Sequence, residues 1–255
     1  MKLKSLVTVA AVVTSGVVLA RVDSTTTLCQ IELANGVKDP VVALPLIEVH
    51  SGTNAINPSA CVLTNGLHTG DYLYAIVGGN RKAWLFNESD GWKPANVTVG
   101  SITIPAAGND KFERGSAVWL HRKNKGNVYI YGQITNITQS VTISGDFAMI
   151  GNATTNSYLL TAIPWGTKPS NGDKLCLIAD NTAGQVEYTC IREGDAVKWG
   201  KIVVETNSRG RIIETIEELT PAEYAAVSIA PGEGFVYMKN NLSADNPTIN
   251  WPSGE

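Results

Sequence analysis

Two glycine-flanked carboxylates, three histidines and four cysteines are the residues whose types could do chemistry. Asp71 in "TGDYLYAI" and Asp173 in "NGDKLCLI" each follow a glycine at the start of an apolar run, 102 positions apart. A carboxylate pair is the equipment of glycoside hydrolysis. Two aspartates in like places of two like segments read more simply as turn residues, each accepting amides of its own turn. His50, His68 and His121 stand apart in the chain. Any of them could enter a serine triad, which is defined by geometry rather than order. The sequence contains no G-x-S-x-G, H-E-x-x-H, G-x-x-x-x-G-K-[ST] or calcium-loop pattern. The four cysteines contain no C-x-x-C pair, so no metal and no cofactor is expected.

Cys29, Cys61, Cys176 and Cys190 allow three disulfide pairings. Cys176 in "KLCLIAD" and Cys190 in "VEYTCIR" flank a turn-rich "DNTAGQ", and a hairpin centred on Ala183 sets them opposite one another at a bridgeable distance. Cys29 then pairs with Cys61, closing a loop with a stabilisation of about 2 to 4 kcal/mol.

Trp92 in "SDGWKP" and Trp251 in "NPTINWP" lie in turn-like contexts and are the tryptophans expected at the surface, where flat rings stack on sugars; they are the candidate glycan-binding residues. Trp84 and Trp119 fall in alternating strands and are expected in the core. Five N-x-[ST] sequons stand at Asn87, Asn96, Asn136, Asn152 and Asn241.

The elements that position these residues are preceded by an unlike segment. "MKLKSLVTVAAVVTSGVVLA" places Lys2 and Lys4 ahead of an apolar run, with Val18 and Ala20 as small residues before Arg21. This is the pattern of a signal peptide, expected to be helical and cleaved after Ala20. The run is shorter than the roughly 20 apolar residues of a spanning helix, so the mature chain is not expected to insert in a membrane. The whole chain has 20 basic and 23 acidic residues, a net charge of −3, and no run of like charges. That leaves no electrostatic case for nucleic acid. Export makes an oxidising compartment, and hence disulfides, the natural setting: extracellular, cell surface or periplasm.

The remainder is written in period two. In "VTVGSITI", Gly100-Ser101 is the two-residue loop of a hairpin; "GKIVVETNSRGRIIETI" is a second hairpin, turning near Arg209. In "TPAEYAAV", Thr220 as N-cap, Pro221 at the first helical position and Glu223 at the third form a capping box, which predicts one short helix. In "PGEGFVYM", Pro231 and Gly232 make a turn, after which Phe235 and Tyr237 share one strand face.

Segments recur in order. "ALPL", "GDYLYAI", "AWLF", "DGWK", a hairpin and "RGSAVWLHRKN" are followed by "AIPW", "GDKLCLI", "VEYTCI", "AVKWGK", a hairpin and "PGEGFVYMKNN". The second series carries about 15 extra residues around "ELTPAEYAAV". The fold class expected is mainly β: two related β-sandwich or small β-barrel units in tandem, with one short helix inserted in the second. The division is 1–20 signal peptide, 21–140 first unit and 141–255 second unit.

This pattern resembles a group of uncharacterised exported bacterial proteins of the Verrucomicrobia type, in which a signal peptide precedes β-rich copies ending in a "PGEGFW"-like strand. The first copy departs from it at "RGSAVWL". The resemblance implies secretion and β structure and no assigned activity. The function expected is a secreted or cell-surface structural or interaction protein without catalysis, its partners being other copies of itself or cell-envelope components. A carbohydrate-binding module with glycan partners is the alternative, and a hydrolase with an unrecognised site the second.

Overall fold

The computed structural model describes residues 7–13, 16–22, 28–33, 41–43, 55–56, 66–77, 79–108, 112–113, 115–124, 128–133, 138–154, 156–178, 185–206, 211–240 and 245–252. Cys61 and His50 lie outside them, and with Cys61 the proposed bridge to Cys29.

At the N-terminus β1 (Val7–Val13) and β2 (Gly16–Val22) form an antiparallel ribbon, and β3 (Leu28–Leu33) joins β2 at Arg21 and Val22. Where a helix is expected over the first 20 residues, the described ones, 7–13 and 16–20, are in strands instead. Valines crowd both segments, four in β1 and three in β2, and their branched side chains favour extended backbone.

The following strands are β4 (Val41–Ala43), β5 (Ala55–Ile56), β6 (Tyr72–Val77), β7 (Asn80–Asn87), β8 (Gly91–Pro94), β9 (Val97–Val99), β10 (Ile102–Ile104), β11 (Phe112–Glu113), β12 (Ala117–His121) and β13 (Val128–Gln133). Five of them make an antiparallel sheet in the order β4-β12-β6-β7-β8, while β13 closes on β3. Next come β14 (Gln139–Thr142), β15 (Phe147–Gly151), β16 (Tyr158–Leu159), a 3-10 turn at Leu160–Ala162, β17 (Lys174–Ile178), β18 (Gln185–Glu193), β19 (Ala196–Thr206) and β20 (Ile212–Glu218). After them lie α1 (Pro221–Ala226), β21 (Ser228–Ile229), β22 (Gly234–Met238) and β23 (Thr248–Trp251). A six-stranded sheet runs β15-β22-β17-β18-β19-β20. The chain is mainly β, with one short α-helix and no closed barrel among the described residues.

The two large sheets match strand for strand: β4-β12-β6-β7-β8 against β15-β22-β17-β18-β19. Register matches as well as order. Leu73 on β6 sits between Trp84 and Leu120, and Leu175 on β17 sits between Tyr188 and Tyr237. The same comparison sets Val41–Ala43 beside Met149–Gly151, each pairing with the strand that closes its unit. "ALPL" and "AIPW" are therefore not equivalent, because Ile163–Trp165 lie beyond the 3-10 turn. The division placed at 140 falls inside β14, which pairs with β23.

Alternation sorts the apolar residues into two layers. Leu175, Tyr188, Cys190, Trp199, Phe235 and Tyr237 point to one face of the six-stranded sheet and form the second unit's core with Ile163, Ile249 and Trp251. Their neighbours Cys176, Val236 and Met149 point to the other face, where Ala117, Tyr74, Ile76 and Trp119 of the first sheet pack on them. The two sheets thus lie face to face. Backbone joins them where Gly151 N–H donates to Gly115 O at 2.8 Å.

The short helix forms as its capping residues dictate. Thr220 Oγ1 accepts the Glu223 amide at 3.3 Å, and Glu223 Oε2 accepts the Thr220 amide at 2.8 Å. Tyr224 anchors it to the sheet: its hydroxyl accepts Trp199 N–H at 2.6 Å and donates to Trp199 O at 3.0 Å.

Candidate functional site

The paired aspartates are buried turn anchors. Gly70 and Gly172 adopt φ of +95° and +84°, which L side chains avoid. The carboxylate that follows then collects the amides this turn exposes. Asp71 accepts His68 N–H and Lys123 N–H, both at 2.8 Å. Asp173 accepts Ser170 N–H at 2.8 Å and Asn240 N–H at 2.7 Å, and also the Tyr237 hydroxyl at 2.6 Å. The outer bonds repeat too: Thr69 and Asn171 side chains accept the amides of Glu88 and Arg192, while Lys123 Nζ and Asn240 Nδ2 donate to the carbonyls of Thr69 and Asn171. Both carboxylates are buried and committed to their own turns, which leaves them poorly placed as a hydrolytic acid and base.

The Cys176 to Cys190 bridge is corrected by register. Cys176 lies opposite Glu187 and Cys190 opposite Trp199. Glu187 and Cys190 are three positions apart on β18, and an odd offset along a strand puts the two cysteines on opposite faces of the sheet. Both are buried thiols. Burial, and then the Asp173 carboxylate, push the Cys190 thiol up to about 12, against a small opposing effect of Arg192.

The candidate glycan-binding residues are also corrected. Trp92 is 2% exposed and Trp251 0%. Trp92 stands opposite Phe86 on the paired strand with ring centroids 5.1 Å apart, and Trp251 meets Tyr158 edge-on at 5.3 Å. The turn residues around them are the ends of short strands, and each indole faces inward from its strand. Neither offers a ring to a sugar. Trp84 is in the core as expected, while Trp119 is half-buried and stacks on Tyr74 at 5.6 Å between the sheets.

His68 Nδ1 lies 3.4 Å from Glu88 Oε1, and His121 stacks on Tyr72 at 4.5 Å. Neither contact involves a serine. Of the sequons, Asn152 is buried with its amide donating to Asn156 O and Ile229 O. Among the described residues no three of His, Cys, Asp and Glu converge as metal donors, and no helix is long and apolar enough to cross a membrane.

The surface that sequence reasoning did not single out is the β19–β20 ribbon. In the first unit the corresponding chain breaks after Pro94, and the β9–β10 hairpin, turning at Gly100-Ser101, folds back so that Val97 and Ile104 are buried with Ala83. Ala83 N–H donates to Pro105 O, and Ala106 N–H to Asn96 Oδ1, fixing that fold-back. In the second unit no such break occurs, and β19 runs uninterrupted for 11 residues. Ile202 faces Ile216, and Val204 and Ile212 follow on the same face, at 41%, 49%, 59% and 71% exposure. All seven residues of β20 are exposed, and β20 ends the sheet, so its outer backbone edge is paired to no described strand. β19 carries this stripe on the face that, at Cys176 and Val236, is covered by the first sheet.

No family model, no curated protein and no solved structure matches this chain.

Proposed function

We propose that this protein is an exported, non-catalytic structural or interaction protein of the cell surface or periplasm whose copies associate with one another. One observation carries the reading: an edge ribbon exposing Ile202, Val204, Ile212 and Ile216 beside a backbone edge paired to no described strand. Exposed apolar edge strands template pairing with another chain, and contiguous apolar surface marks contact sites. The buried state of Asp71, Asp173, Trp92 and Trp251 speaks against the hydrolase and glycan readings. Export rests on the Lys2 and Lys4 segment, with cleavage after Ala20; the two β2 residues that pair with β3, Arg21 and Val22, stay with the mature chain. Sedimentation of the exported protein together with a glycan array tests the proposal. Concentration-dependent assembly without sugar binding supports it; a monomer that binds a discrete sugar overturns it in favour of a carbohydrate-binding module.

A further inference from the structure

We infer that two copies of this chain join by antiparallel pairing of β20 with β20 about a two-fold axis at Glu214. The inference rests on the self-association reading above and adds the strand, the register and the residues in contact. It follows from the alternation of β20 and its charges.

Antiparallel pairing of a strand with itself keeps the apolar faces of both copies on one side only if facing residues are of the same parity, as in an extended sheet. That restricts the two-fold axis to a residue position. An axis at Thr215 sets Ile212 against Glu218, Ile213 against Glu217 and Glu214 against Ile216, each an apolar group facing a carboxylate. An axis at Ile213 sets Ile212 against Glu214 and leaves the distal half of β20 without a partner. An axis at Glu214 sets Arg211 against Glu217 twice, Ile212 against Ile216 twice and Ile213 against Thr215 twice. Its one cost is Glu214 against Glu214.

Opposite charges and branched aliphatic pairs directly across an antiparallel ladder are the favourable combinations, and like charges the unfavourable one. The register at Glu214 has four favourable pairs against one unfavourable pair. It also brings the two exposed stripes together across the axis, with the Glu214 pair on the same face at the centre. Within each copy Ile202 already faces Ile216; across the axis Ile216 meets Ile212 of the second copy, so eight aliphatic residues line one face of a joined sheet. In the first unit the β9–β10 hairpin buries Val97 and Ile104 against its own chain and leaves Val99 and Ile102 exposed as a single facing pair, not an extended stripe.

The test is a charge-swap cycle read by sedimentation equilibrium on the full exported protein, with circular dichroism melting to confirm that each variant folds. Arg211→Glu and Glu217→Arg each turn two attractive pairs repulsive, and each weakens association by about tenfold or more. The double variant restores opposite charges in reversed order and returns association to near the wild-type strength. Glu214→Gln removes the central repulsion and tightens association severalfold. Association that no β20 variant alters overturns the pairing while leaving self-association standing. Single variants that weaken association with no recovery in the double variant overturn the Glu214 register. A wild-type chain monomeric at every concentration overturns both the pairing and the reading on which it rests.

Discussion

Asp71 and Asp173 hold the same turn: each carboxylate accepts the amide three residues before it and the amide just beyond the strand that closes its unit, Lys123 in one case and Asn240 in the other. The side chains of Lys123 and Asn240 are chemically unlike, yet both donate to the carbonyl that precedes the turn glycine. A shared backbone path, rather than shared side chains, is what recurs between the two sheets.

The turn anchors differ in one donor, and this predicts an asymmetry. The Tyr237 hydroxyl adds a third bond at Asp173, where the first unit has Leu120 in the equivalent register position. Asp71→Asn is expected to cost about 2 to 3 kcal/mol of unfolding free energy and Asp173→Asn about 1 kcal/mol more, since bonds to a charged acceptor are worth about 1.5 to 3 kcal/mol each. Tyr237→Phe should cost about 1 kcal/mol or more in the wild type and markedly less in the Asp173→Asn background. Denaturant unfolding measures all four; equal losses at the two aspartates would contradict the asymmetry.

The cysteines on β17 and β18 are predicted to stay thiols even under oxidising conditions. With Cys190 buried and its thiol pushed up to about 12, little thiolate exists near neutral pH. Iodoacetamide at pH 8 should leave Cys176 and Cys190 unlabelled in the folded protein and label both after denaturation. A peptide map showing the two joined would contradict the register.

The helix cap should be pH-sensitive. The Glu223 carboxylate is held below its ordinary value of 4.5, first by the Thr220 amide, then by the Thr220 hydroxyl and by Lys201. A depressed carboxylate contributes stability above its unfolded value, and that contribution is lost as pH falls through the folded one. Thr220→Ala is expected to cost about 1 kcal/mol at pH 7. The difference between wild type and Glu223→Gln should shrink as pH drops below about 4.5. Thermal melts across pH 3 to 7 would show this, and a difference constant over that range would refute it.

Local signals were the legible ones. Gly100-Ser101, the Thr220 and Glu223 box, and the shared face of Phe235 and Tyr237 each depend on a few neighbouring residues, and each formed as expected. The recurrence of "GD" was equally legible because a left-handed glycine and an amide-collecting carboxylate must be adjacent. Pairing register was not. The midpoint between Cys176 and Cys190 is all the sequence offers for their pairing, and there an error of about one residue moves a side chain through the sheet. The turn residues flanking Trp92 and Trp251 point to the surface, although a strand of four residues suffices to bury an indole. The exposed β19–β20 ribbon is not legible because its exposure depends on a break after Pro94 in one unit and its lack in the other. A period-two pattern reads alike in both.

The central claim, that copies meet at the β20 edge, is tested most directly by amide hydrogen exchange measured at rising protein concentration. Pairing of β20 with a second copy adds hydrogen bonds to the outward amides of Ile212–Glu218, so their exchange should slow as concentration rises, while the amides of Gly91, Trp92 and Lys93 on another outer strand, β8, exchange at an unchanged rate. Exchange over Ile212–Glu218 that is independent of concentration, in a sample that sedimentation shows to be associating, would contradict it.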